Sequence, residues 1–211
     1  TVDEGWSHGE PYLCLNMQIE RFLIIGLGNP GRSYARHRHN VGFMVLDELA
    51  RRQQVAFTRR RGKALQADFR LGSAQVLLAK PQTFMNMSGE AAQRLLRYFH
   101  LPLQKTLVVF DDLDLPTAAL RMRPLGGSAG HKGMQSVIDR LGSRAIARLR
   151  VGIDRPPGKM DPAAYVLQPF SDEQQELIDA ALPRAAEAIE TFVRTDIESA
   201  MSAFNSAASG E

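Results

Sequence analysis

The runs FLIIG (residues 22–26) and TLVVF (residues 106–110) constrain this chain more than any other feature. Each is too short for a buried helix, almost wholly apolar, and closed by glycine or aspartate, which is the pattern of a strand covered on both faces. Between and after them the period changes. Val41, Met44, Val45 and Leu49 recur at helical spacing behind Asn40, a good N-cap residue, and Ala91, Leu95, Leu96 and Phe99 do so over residues 90–99. Strand-like runs are expected at 54–58, 65–71, 74–79, 118–123 and 149–153, with Gly72 and Ser73 turning a tight hairpin between the second and third. A glycine-rich loop, 126–133, leads into a helix carrying Met134, Val137, Ile138 and Leu141. A Pro/Gly-rich loop spans 155–162, and two helices, 172–194 and 196–205, close the chain. This order predicts a single-domain α/β fold with a mixed, partly parallel central sheet and helices on both faces.

With 211 residues and 44% hydrophobic composition, the chain can bury one sizeable core. Residues 1–16 are polar and aperiodic, so they are expected to be a disordered or non-native extension, leaving 17–207 as the domain. No apolar run approaches the roughly 18 residues that span a bilayer. The first residues also lack the basic-then-apolar order of a secretory signal, so a soluble, cytoplasmic protein with no membrane partner is expected. Cys14 is the only cysteine, which excludes a disulfide framework or a thiolate metal cluster within the chain. The net charge of +3 is unevenly spread. Positive charge gathers at Arg32, Arg36 and Arg38, at Arg59, Arg60, Arg61 and Lys63, at Arg121 and Arg123, and at Arg144, Arg148 and Arg150, while residues 171–190 lean acidic. A basic face fits a polyanionic ligand such as nucleic acid, and it also fits solvated charge.

Gly26, Gly28 and Gly31 spell G-x-G-x-x-G behind the first strand, the spelling of a dinucleotide-binding loop. Its surroundings argue otherwise. Pro30 removes an N–H from the cradle, and the helix begins near Asn40, too late for its dipole to reach a pyrophosphate. Asp47 and Glu48 have the spacing of a ribose-binding acid but fall inside the helix. Arg59, Arg60 and Arg61 as a 2′-phosphate grip keep an NADP-dependent oxidoreductase as an alternative. In the other reading, Asn29-Pro30-Gly31 is a turn that presents the Asn29 amide at the carboxyl end of a strand, where α/β proteins place their sites.

Three further segments point to the same edge. PQTFMNMSGE (81–90) puts Asn86 between two methionines after a strand, and VVFDDLDLP (108–116) puts Asp111 directly after another. PLGGSAGHKGM (124–134) holds His131 and Lys132 at a helix entrance. Each alone reads as a helix cap, a pair of turn acids or a flexible loop. With His39 they offer an imidazole, a carboxylate and two carboxamides where separate strands end.

The order GLGNPG, a tyrosine and RHN, then TFMN-x-SG, then DDLDLP, then a glycine-rich GHxG resembles bacterial peptidyl-tRNA hydrolase from about Met17 to the last helix. The resemblance implies cleavage of the ester between a peptide and the 3′-terminal ribose of tRNA, by a monomer, without metal, cofactor or covalent intermediate. It implies that His39 is the general base and that Asp111 orients it. Asn29 would contact the first peptide bond, and Asn86 the peptide or 3′ end and the oxyanion. Tyr34 and Phe84 would border the channel for the terminal nucleotide, and His131 and Lys132 would touch substrate. Lys132 stands where the family usually has asparagine; it offers charge without an acceptor, so a phosphate grip is expected there. Among the arginines, some of Arg121, Arg123, Arg148 and Arg150 are expected to hold acceptor-stem phosphates, with Arg121, Arg123 and Arg150 as the named contacts, and Arg59 to Arg61 to be solvated charge. A non-catalytic RNA-binding relative on the same fold is the competing reading.

Overall fold

Alternation along the central strands sorts their side chains between two cores. On strand β1 (Arg21–Gly26), Phe22 and Ile24 face one side while Leu23 and Ile25 face the other, and all four are buried. A strand of this kind needs a helical layer on each face. In the computed structural model, which describes residues 19–205, α1 (Val41–Arg52), α5 (Asp172–Arg194) and α6 (Ile197–Phe204) cover the first face. The second is covered by α2 (Ser88–Phe99) and α3 (Lys132–Leu141). The expected extension 1–16 and the outer ends of the expected domain lie outside the described residues.

The remaining strands are β2 (Arg59–Arg61), β3 (Ala64–Leu71), β4 (Ala74–Pro81), β5 (Thr106–Asp112), β6 (Leu120–Arg123) and β7 (Ala147–Gly152). Their order is β2-β3-β4-β1-β5-β7-β6. The inner strands β4, β1, β5 and β7 run parallel, and β2, β3 and β6 pair antiparallel at the margins, so the sheet is mixed as expected. The chain leaves β1 through α1 on one face and β4 through α2 on the other. Such a change of side opens a crevice at the carboxyl ends of the parallel strands.

The glycines of the G-x-G-x-x-G spelling serve packing. A Cβ on Gly26 would fall 2.4 Å from the carbonyl oxygen of Gly42 in α1, and one on Gly28 would fall 2.7 Å from the Phe43 ring. They let α1 press onto β1. Two 3₁₀ turns, Arg32–Tyr34 and Arg38–Asn40, separate the loop from α1, so no helix N-terminus opens on it.

Two expectations need correction. Residues 54–58 are not a strand: Val55 and Phe57 pack on the first core as irregular chain, which mimics strand alternation, and pairing with β3 begins only at Thr58, whose N–H donates to Gln66 O. The edge strand is Arg59–Arg61 itself. In addition, the expected loop 155–162 ends in a short helix, α4 (Pro162–Val166). Asp161 caps it by accepting from Ala164 N–H, and Pro162 fills its first turn. The Asp-Pro pair was the available signal. Among the described residues no helix is long and apolar enough to cross a membrane.

Candidate active site

The loops after β1, β4 and β5 and the start of α3 meet around a cavity of about 730 Å³. His39, Asp111 and His131 form its buried floor. Asn29, Asn86, Gly130 and Lys132 lie on the polar part of its lining. Leu113 and the α4 segment, with Pro162, Ala163, Val166 and Leu167, make a mostly apolar wall, with the Asp161 cap of α4 at its end.

Hydrogen bonds determine the protonation pattern of the floor. Asp111 is buried and ionised, so it can only accept. His39 Nδ1 lies 2.9 and 3.0 Å from its two oxygens, and His131 Nε2 lies 3.0 Å from Oδ1. Both imidazoles therefore donate to the carboxylate. His131 Nδ1 meanwhile accepts from Met134 N–H at 3.1 Å, as the N-cap of α3. The His39 proton sits on Nδ1, which leaves Nε2 as a basic lone pair at the cavity. Burial by itself raises the Asp111 pKa, but the electrostatic attraction and N–H donation of the two imidazoles outweigh it and hold the carboxyl well below the usual range.

One donor atom from each of these three residues lies within 4.8 Å of the others, a spacing that would suit a divalent cation. The outer hydrogen bonds do not. A histidine bound to metal through Nε2 normally donates its Nδ1–H outward, whereas His131 Nδ1 faces a donor, Met134 N–H. The cluster is arranged to hold protons.

Asn29 is locked from three sides. Its backbone N–H donates to Asn40 Oδ1 at 3.0 Å and its carbonyl accepts from Asn40 Nδ2 at 2.9 Å. Its side-chain oxygen accepts from Met85 N–H at 3.0 Å. With Oδ1 so engaged, Asn29 offers its Nδ2 donors to the cavity. Asn40 is thus a site residue; it stands at the N-cap position expected of it, but its carboxamide makes no capping bond. Its place beside His39 in RHN was the signal. The α4 wall was missed together with its helix.

Other expected residues divide. Asn86 and Lys132 are exposed at the cavity, and Phe84, also in its lining, is 67% exposed. Tyr34 does not line the cavity; its ring packs edge-on against His37, 5.3 Å between centroids. His131 lines the floor, but both ring nitrogens are engaged by Asp111 and Met134, so it is not free to be a polar substrate contact.

The arginines share one face of β6 and β7, with Arg121 opposite Arg150 and Arg123 opposite Arg148. Arg148 is 1% exposed, and its guanidinium donates to the carbonyls of Gly126, Gly127, Arg144 and Ile146. It staples the glycine loop and has no donor left for phosphate. Arg150 pairs with Asp112 at 2.7 Å, Arg121 is half-buried and Arg123 is exposed; none of the three lines the cavity.

The family model for peptidyl-tRNA hydrolase matches residues 23–211. A peptidyl-tRNA hydrolase of Syntrophomonas wolfei is 46% identical over 183 residues, 87% of this chain and 99% of that protein. A mitochondrial peptidyl-tRNA hydrolase of rice is 45% identical over 92% of this chain and 78% of its own. The crystal structure of the peptidyl-tRNA hydrolase from Acinetobacter baumannii superposes with a TM-score of 0.83 at 28% identity, covering 88% of this chain and 94% of that one. Sequence and fold agree over nearly the same stretch, and the chain belongs to the peptidyl-tRNA hydrolase family.

Proposed function

We propose that the cavity hydrolyses the ester of peptidyl-tRNA with His39 as general base. The observation that carries this reading is Asp111, which receives both imidazole N–H groups and so directs the His39 lone pair to the cavity. Water held at Nε2 attacks the ester carbonyl carbon while its proton passes to His39. The carbon–oxygen bond to the ribose then breaks, and the proton moves from the imidazolium to the departing 3′ oxygen. The products are free tRNA and a peptide acid. Asp111 holds the imidazolium through both stages without taking its proton. Asn29 Nδ2 and Asn86 donate to the substrate carbonyl oxygens, where charge develops.

The same geometry explains a preference for blocked esters. The carbonyl of a first peptide bond accepts from Asn29 Nδ2, whereas a free ammonium has only donors and meets a donor there. Hydrolysis of N-acetyl-aminoacyl-tRNA in a chelator, beside its unblocked counterpart, tests this. Release from the blocked ester at least about a hundredfold faster is expected. Equal rates, or activity that needs an added metal, would overturn the mechanism.

Arg121, Arg123 and Arg150 form the candidate acceptor-stem surface and Lys132 a phosphate grip at the cavity, in a monomer acting in the cytoplasm. Arg123, exposed at the edge strand, gives the cleaner test. In Arg123→Ala the slope of log KM against log salt falls by about one and kcat is unchanged. Lys132→Asn behaves alike if the lysine grips phosphate; an unchanged KM and slope would remove that role.

A further inference from the structure

The α4 wall is held by the residue beside the general base. Arg38 is 6% exposed, and its backbone N–H donates to Gln168 O at 3.0 Å. Its Nη1 donates to Pro169 O at 2.8 Å, Gln168 O at 3.3 Å and Tyr165 O at 3.4 Å, and Nη2 donates to Gln174 Oε1 at 2.6 Å. The guanidinium lies 4.0 Å over the Tyr165 ring, and His37 bridges to Pro169. Every one of these partners belongs to α4, to the three residues after it, or to the first turn of α5. Tyr165 ties the same helix to the end of β7 through its hydroxyl, which donates to Ile153 O at 2.8 Å.

A helix of five residues has too few internal bonds to stand alone, and its last carbonyls need donors. A guanidinium is well placed there, because it brings a forked set of donors and a positive charge to the negative end of the helix. No carboxylate shares Arg38 among its hydrogen-bonded partners, so its charge is spent on carbonyls and its effect is geometric. The wall it fixes is mostly apolar, with Pro162, Ala163, Val166 and Leu167 following the Asp161 carboxylate, whereas Lys132, Asn29 and Asn86 lie on the polar part of the lining. Apolar lining suits peptide side chains, and a lysine suits phosphate.

We propose that Arg38 is a positioning residue that sets the distance between α4 and the His39 turn, and so determines how the peptide beyond the first residue is bound. The proposal rests on the peptidyl-ester reading of the same cavity.

The test compares Arg38→Lys with the unaltered protein on N-acetyl-aminoacyl-tRNA and on a tetrapeptidyl-tRNA, with pH profiles and thermal melts of each. Lysine keeps the charge and loses the fork. KM for the tetrapeptidyl ester is expected to rise about tenfold relative to the one-residue ester. The kcat for the short ester stays within about twofold, because His39 is held independently by Asp111. The pH profile does not move. Tyr165→Phe keeps the ring under the Arg38 guanidinium and removes only the hydroxyl's bonds to Ile153 O and Gln174 Nε2, and shifts KM in the same direction by less. Equal losses on both esters, a displaced pH profile, or a lowered melting temperature with unchanged KM would each overturn the assignment. Inactivity of the unaltered protein on both esters would instead sink the ester reading, and this inference with it.

Discussion

His39→Ala lowers kcat on a blocked aminoacyl-tRNA by about a thousandfold and leaves KM within about threefold. The asymmetry follows from position. His39 lies on the buried floor of the cavity, and in the proposed mechanism its lone pair acts on water in the transition state. Removing it also strips Asp111 of one of its two imidazole donors, so the variant melts at a lower temperature. Added imidazole restores part of the rate by reoccupying the vacated space, a result no purely structural role would produce. A variant that kept more than a tenth of wild-type kcat would move the general base elsewhere in the cavity.

Asp111→Asn is the second large effect, with a loss of kcat of about a thousandfold or more. Both carboxylate oxygens lie within 3.0 Å of His39 Nδ1, so whichever way the amide turns, its NH₂ sits against the Nδ1–H. His39 escapes by moving its proton to Nε2, the nitrogen that the proposed mechanism needs free to take one from water. The same substitution has a pH signature in stability. Because the folded-state pKa of Asp111 is depressed, the unfolded chain takes up this proton first on acidification. The contribution of Asp111 is therefore fully present above the ordinary carboxylate pKa near 4 and is lost as the pH falls toward the depressed folded value. Thermal melts of wild type and variant should differ by a constant amount near neutrality and converge in acid. A difference that held constant into strong acid would mean that the carboxylate is not stabilised by its two imidazoles.

The strands and helices were legible because their signals are local. FLIIG and TLVVF became β1 and β5, and the helical spacing of Val41, Val45 and Leu49 became α1. Asn29, His39, Asn86 and Asp111 were legible as cavity residues because each ends or follows a strand or turn, and parallel strands deliver such positions to one edge. The errors came where a local pattern had two meanings. Alternation at Val55 and Phe57 signified burial without pairing, and Asn40 at a helix start signified a lock on Asn29 in place of a cap.

Arg123 and Arg148 face each other across β6 and β7 and look equivalent in the sequence, yet one meets solvent and the other four carbonyls of the glycine loop and its surroundings. The His131 ring looked available for substrate until Asp111 and Met134 claimed both its nitrogens. The period of each segment and the residue types at each strand end are readable from the chain alone, since these depend on neighbours a few positions away. Which imidazole nitrogen carries the proton, which arginine is spent on backbone and which helix walls the cavity are set by contacts between distant segments. Those outcomes depend on partners 72 residues apart for His39 and Asp111, and 127 for Arg38 and Tyr165, and burial makes each such bond costly to leave unmade.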